Sequence, residues 1–285
     1  MHELETALTR QDAQAILRAL HHGAGINAPL FPGQPDSPTA LDIAAAKDGS
    51  PNMTLFLLHH GARVTRDNFD NVCQNGYLEQ VRLLASQGVP YRGRDAKGAT
   101  PLHYAAQNHD PRITRLLLAH GAGADVNARD EDGNTPLLRA AEESQPSVIA
   151  LLLRHGARVN VHNKFNDTPL HCAAQVNSPA CVRLLLNAGA DLRARDKEGL
   201  TPLHAASEHW TNRPDDRLET MRLLINAGAP MNVKDRSGYT PLDLALWAAA
   251  KEPIDPRLVS YLRKRGGKAT IDWGPAYPLP HGAAP

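Results

Sequence analysis

The sequence predicts an all-α solenoid, a row of helix–loop–helix units joined by short projecting turns. Three observations predict it. The tetrapeptide Thr-Pro-Leu-His recurs at Thr100–His103, Thr168–His171 and Thr201–His204, with variants at Thr135–Leu138 and Thr240–Asp243 and a weaker one at Thr39–Asp42. Steps between the stronger threonines are 35 (100 to 135), 33 (135 to 168), 33 (168 to 201) and 39 (201 to 240) residues. A period in this range means stacked supersecondary units rather than a closed globule. Leucine-rich runs then end in Gly, and Asp-x-x-Gly turns separate the units.

The unit from Thr168 to Arg193 shows how each element arises. Thr168 is an N-cap whose hydroxyl can accept from an orphan N–H of the first turn. Pro169 suits the first helical position, where no N–H is required. Leu170, Ala173 and Ala174 share one face, and the alanines let a neighbouring helix approach closely. Asn177-Ser178-Pro179 ends this helix and starts a second, whose apolar face is Val182, Leu184, Leu185 and Leu186. Gly189 stands where a helix stops in the left-handed conformation. The same stop recurs at Gly61, Gly88, Gly121, Gly156, Gly228 and Gly266. Turns follow at Asp95–Gly98, Asp130–Gly133, Asp196–Gly199 and Asp235–Gly238. A single unit cannot bury its own apolar face, so neighbours must stack.

The pattern Asp-x-x-Gly-x-Thr-Pro-Leu-His-x-Ala-Ala, followed by Leu-Leu-Leu-x-x-Gly-Ala-Asp-Val-Asn, resembles the ankyrin repeat. Asp95–Ala106 with Leu116–Asn127 carries it, as do Asp130–Ala141 with Leu151–Asn160 and Asp196–Ala206 with Leu223–Ala229. The resemblance runs from about Glu3 to about Gly266. It implies an ankyrin solenoid that binds a partner protein through its turn tips and the inner face of its first helices, without chemistry of its own.

Eight units are expected over residues 1–266, starting near 3, 39, 67, 100, 135, 168, 201 and 240, with a Pro/Gly-rich tail at 267–285. The first carries Glu3, Glu5 and Thr6 as a polar end cap. The third, starting near Asp67, is degenerate. Phe69, Val72 and Cys73 replace Leu, Ala and Ala, and it lacks both the Thr-Pro cap and the His, so it is the expected soft spot. Ala28–Pro38, Trp210–Arg217 and Lys251–Pro256 read as loop insertions. In the tail, Ile271, Trp273 and Tyr277 could pack on the last helix.

Bulk properties exclude several classes. With 31 Lys+Arg against 30 Asp+Glu the net charge is +1, so no strong field draws nucleic acid or membrane. The N terminus is acidic and lacks a secretory leader's apolar core, and no apolar run is long enough to span a bilayer. Three dispersed cysteines suggest free thiols in a reducing compartment. A cytoplasmic monomer is expected, with secretion by a non-Sec route left open.

No catalytic or metal motif stands out, and neither a cofactor nor enzymatic activity is expected. His103, His171 and His204 lie a whole unit apart, too far to share a metal. In ankyrin proteins this His ties adjacent units through hydrogen bonds, and that role is implied here. Asn127 and Asn160 are read as turn caps. The candidate partner-binding residues are Tyr104, Arg139, Glu142, Phe165, Gln175, Glu208, Tyr239 and Trp247, mapped to turn tips and inner helices. Phe165 carries most weight, because an aromatic at a solvated tip has no core to justify it. The expected role is a protein-interaction scaffold. Alternatives are an inhibitor or immunity protein that blocks a toxin or enzyme, and a translocated bacterial effector acting on host proteins.

Overall fold

A computed structural model describes residues 2–31, 37–46, 51–208, 214–251 and 256–270. Among these residues there are α-helices and one 3-10 turn, and no strand. The contacts divide the chain into two compact parts, Met1–Asp125 and Val126–Pro285.

In the first part, α1 (His2–Thr9) pairs with α2 (Ala13–His21) and α3 (Ala40–Ala46) with α4 (Pro51–His59). Further along, α5 (Arg66–Asn75) pairs with α6 (Leu78–Ser86) and α7 (Pro101–Ala106) with α8 (Pro111–Ala119), and the 3-10 turn Ala122–Asp125 follows. First helices α1, α3, α5 and α7 pack in succession, as do second helices α4, α6 and α8. The core includes Leu4, Ile16, Leu41, Leu57, Phe69, Leu84, Leu102, Ile113 and Leu117, all buried.

The second part repeats the arrangement. It pairs α9 (Pro136–Glu142) with α10 (Pro146–Arg154) and α11 (Pro169–Gln175) with α12 (Pro179–Asn187). Then α13 (Pro202–Glu208) pairs with α14 (Pro214–Asn226), and α15 (Pro241–Lys251) with α16 (Pro256–Lys264). First helices α9, α11, α13 and α15 form one row, and α10, α12 and α14 another. On α11, Leu170, Ala173 and Ala174 are fully buried; on α12, Val182 and Leu185 are buried while Leu184 and Leu186 are only half covered.

The caps work as the sequence implies. Thr168 accepts from the His171 N–H, and His171 Nδ1 accepts from the Thr168 N–H at 3.2 Å, a reciprocal capping box. With Nδ1 accepting, Nε2 carries the proton and donates to the Leu200 carbonyl of the next turn at 3.1 Å. His204 does the same from the Thr201 N–H to the Tyr239 carbonyl, at 3.1 and 3.2 Å. Burial pushes the pKa of both imidazoles down, which keeps them neutral for this role. Asn127 and Asn160 each bridge to the following unit, accepting from the N–H of Arg158 and Asp191 and donating to the carbonyls of Gly156 and Gly189. Gly189, at φ 84°, supplies the left-handed helix stop.

Two sequence expectations are corrected. The third unit is not uncapped: Thr65 caps α5 and Asn68 takes the place of His in a full capping box. Asn68 also donates to Asp42 on α3, so α5 has its own tie to the preceding unit. Pro214–Arg217 is not loop but the first turn of α14. Pro at the first position and acids Asp215 and Asp216 in the first turn favour that helical start. The chain beyond Gly266 is bonded as far as Thr270: its N–H and hydroxyl reach Asp243, and the Lys268 carbonyl accepts from Thr240 Oγ1 at 2.8 Å. Ile271, Trp273 and Tyr277 lie outside the described residues, as does Trp210.

Candidate functional site

In the second part, the turns between helix pairs are stitched edge to edge by main-chain bonds. The Lys164 N–H donates to the Asp132 carbonyl (2.8 Å), Lys197 to Phe165 (2.9 Å) and Arg236 to Glu198 (2.9 Å). Each turn is also closed internally. Asp130 accepts from the N–H groups of Asp132 and Asn134, Asn163 from Phe165 and Asp167, Asp196 from Leu200, and Asp235 from Tyr239. Asn166, at φ 64°, occupies the left-handed position that Gly fills in the neighbouring turns. The tips therefore form a continuous, rigid edge.

Phe165 stands on this edge. Its side chain is 56% exposed, with the Lys197 ammonium 5.9 Å from the ring centroid. Its N–H is held by Asn163 and its carbonyl by Lys197, so the backbone that presents the ring is fixed on both sides. Trp247 on α15 is 37% exposed. Gln175, at the end of α11, is exposed, and Tyr239 is half-buried with its main chain committed to Asp235 and His204. Glu208 closes α13, but its side chain lies outside the described residues.

Arg139 and Glu142 behave differently from a free contact surface. Arg139 donates to Asp130 from Nη2 at 2.7 Å and from Nε at 3.2 Å, and to Glu142 from Nη1 at 3.3 Å. Burial pushes the Glu142 pKa up, with Arg139 opposing. In the first part Tyr104 does the equivalent thing: its hydroxyl donates to Asp95 at 2.6 Å. Burial, then the bond to Asp95, hold that phenol's pKa well above its ordinary value. Both side chains fasten a helix to the turn that precedes it.

Two features escaped sequence reasoning. Arg217 is buried on α14, and its guanidinium donates to the carbonyls of Ala206 and Ser207 at the end of α13. Desolvation pushes its pKa down to about 10. Arg66 joins α5 to the loop before α7 by donating to the carbonyls of Arg92 and Gly93, while pairing with Asp70 at 2.8 Å. Buried Asp70 is pushed up to about 7 by desolvation, against the pull of Arg66.

Cys73, Cys172 and Cys181 are buried free thiols, and burial raises the pKa of each. Among the described residues no cluster of His, Cys, Asp and Glu could hold a metal, and no helix is long and apolar enough to cross a membrane. Residues 70–163 and 140–235 match a family model for ankyrin repeats (3 copies), together spanning more than half of the chain. No curated protein matches it.

Proposed function

Because this chain belongs to the ankyrin-repeat family, whose repeats generally mediate protein–protein interaction, we propose that it is a non-catalytic protein-binding scaffold. In this reading eight repeats occupy residues 1–266, and a partner protein docks on the turn-tip edge and first-helix row of the second part. The observation that carries the reading is Phe165, an aromatic ring more than half exposed on a backbone fixed from both sides. Such a ring is desolvated at little conformational cost when a partner covers it. Trp247 and Gln175 extend the surface along the first helices, and Lys164, Lys197, Glu198 and Arg236 surround it with mixed charge. A pocket for a polar small molecule would converge several polar groups on one concavity. A solvated edge with an aromatic anchor suits a protein instead.

The test is capture from lysate by the wild-type chain and by Phe165→Ala and Trp247→Ala, each first shown to melt like wild type. A partner taken by wild type and lost by either variant supports the proposal. Equal capture by all three would place binding elsewhere and overturn it.

A further inference from the structure

We propose that the N-terminal helix pair carries an anion-binding cleft that takes a small phosphomonoester. Thr6 of α1, Arg10 in the turn, Asp12 and Ala15 at the start of α2, and Arg18 and His22 at its end line one open cleft of about 370 Å³. The spacing explains the convergence. Thr6 and Arg10 lie four residues apart across the end of α1, as do Arg18 and His22 across the end of α2, and Ala15 lies one turn before Arg18, so each set lies along one side of its helix end. The small side chain of Ala15 leaves space between the longer ones.

The two arginines set the ligand's charge. Arg10 and Arg18 are exposed, and their side chains have no hydrogen bond or ion pair among the described residues. Both arginines line the same cleft, so an anion seated there meets two positive charges. Their planar donors match phosphate geometry. The N terminus of α2 is not the anion's seat, because Asp12 Oδ1 already accepts from the Ala15 N–H at 3.0 Å.

Asp12 also narrows the class. Counting Arg10, Arg18 and Asp12, the cleft carries a net charge of +1. That favours a dianion over a monocarboxylate. A carboxylate on the wall repels a bare anion but suits a ligand that offers it a hydroxyl or an amine. The volume lies near the lower end of the ~300–1,000 Å³ range of ligand pockets. A phosphate on a carrier of a few atoms fits this volume. The inference is independent of the protein-binding edge, since all of these residues belong to the first helix pair.

The test is calorimetric titration of the full-length protein with glycerol 3-phosphate, inorganic phosphate and glycerol. Glycerol 3-phosphate should bind, inorganic phosphate more weakly, and glycerol not at all. Arg10→Gln and Arg18→Gln should each weaken glycerol 3-phosphate at least ~10-fold, the scale of one lost charged hydrogen bond. Arg263→Gln, which removes an exposed arginine from α16, should change nothing. Asp12→Asn keeps a good N-cap and should shrink the preference for glycerol 3-phosphate over inorganic phosphate. Absence of binding at millimolar ligand would overturn the proposal. So would equal loss in Arg263→Gln, or equal affinity for inorganic phosphate and glycerol 3-phosphate in wild type, which would mean an adventitious ion only. Dichroism of the two arginine variants separates lost binding from lost folding.

Discussion

Arg139 reaches back nine residues and holds Asp130 with two hydrogen bonds, at 2.7 and 3.2 Å, fastening the tip of one turn to the helix that follows it. Asp130 is buried and also accepts two N–H groups of its own turn. The arginine therefore serves the fold before it can serve a partner. Truncating it leaves a buried carboxylate with fewer donors, which costs more than losing an exposed ion pair. Arg139→Ala should destabilise the protein by about 1–3 kcal/mol in chemical denaturation, on the scale of hydrogen bonds to charged groups. A stability within error of wild type would return Arg139 to the contact surface.

Asp70 makes stability depend on pH with a sign opposite to that of most carboxylates. Its pKa is about 7 in the folded chain against 3.8 in the free side chain. Burial is the main cause; Asp95 and Asp67 add to it and Arg66 opposes. Between these values the folded state holds more protons than the unfolded one, so Asp70 lowers stability as pH rises from about 4 to 7 and no further above that. Asp70→Asn removes this dependence. Its stability relative to wild type should rise between pH 4 and 7 and then level off, as read by urea denaturation across the range. A difference that is flat, or falls, over that interval would show that Asp70 titrates normally.

Arg217 should be as intolerant of substitution as a core leucine. Its guanidinium supplies donors to two carbonyls at the end of α13. Arg217→Met fills similar volume but leaves those carbonyls without this donor, at about 1–3 kcal/mol. Lys has one point of donation where Arg has a fork, so Arg217→Lys should recover only part of the loss. Faster hydrogen exchange should follow in α13 and α14. Full recovery by lysine would reduce the role to charge alone.

Helix boundaries were legible wherever a motif states them in standard residues. Thr168-Pro169 and Gly189 set the ends of their helices as expected, and His171 and His204 make the ties that the resemblance implied. Reading failed where other side chains do the same job. Asn68 replaces His in the box with Thr65, so a degenerate motif hid an intact cap. The motif spacing also outweighed the start signal in Pro214-Asp215-Asp216 and left part of α14 as loop. On the candidate face, sequence position identified which residues sit on inner helices but not which fold back. A clue was present, since Asp95 precedes Tyr104 by the same nine residues that separate Asp130 from Arg139.

The capped helix pair α5–α6 carries its own expectation. Thr65 and Asn68 satisfy each other's backbone groups, and Asn68 links α5 to Asp42. Amide exchange in α5 should therefore be as slow as in α11. Asn68→Ala removes half of the capping box and the link together, and should cost about 0.5–2 kcal/mol, the range for a lost cap. Markedly faster exchange in α5 of the wild-type chain would restore the view of this helix pair as the soft spot.

Phe165 and Lys197 should divide the work of binding between them. The ammonium lies 5.9 Å from the ring centroid and the Lys197 N–H holds the Phe165 carbonyl, so the two form one patch. An exposed charge acts at a distance and is screened by salt, whereas a ring acts only after water has left it. Lys197→Ala should slow association with a captured partner and flatten its salt dependence, with little change in dissociation. The Lys197 main-chain bond survives this substitution, so the edge stays intact. Phe165→Ala should speed dissociation and weaken affinity by about 1–4 kcal/mol at unchanged melting temperature. Gln175→Ala, which removes an exposed polar chain from the same face, should cost under ~1 kcal/mol. Surface plasmon resonance at two salt concentrations separates these cases. If Phe165→Ala altered only the association rate, the ring would be a bystander on the edge rather than the anchor of the contact.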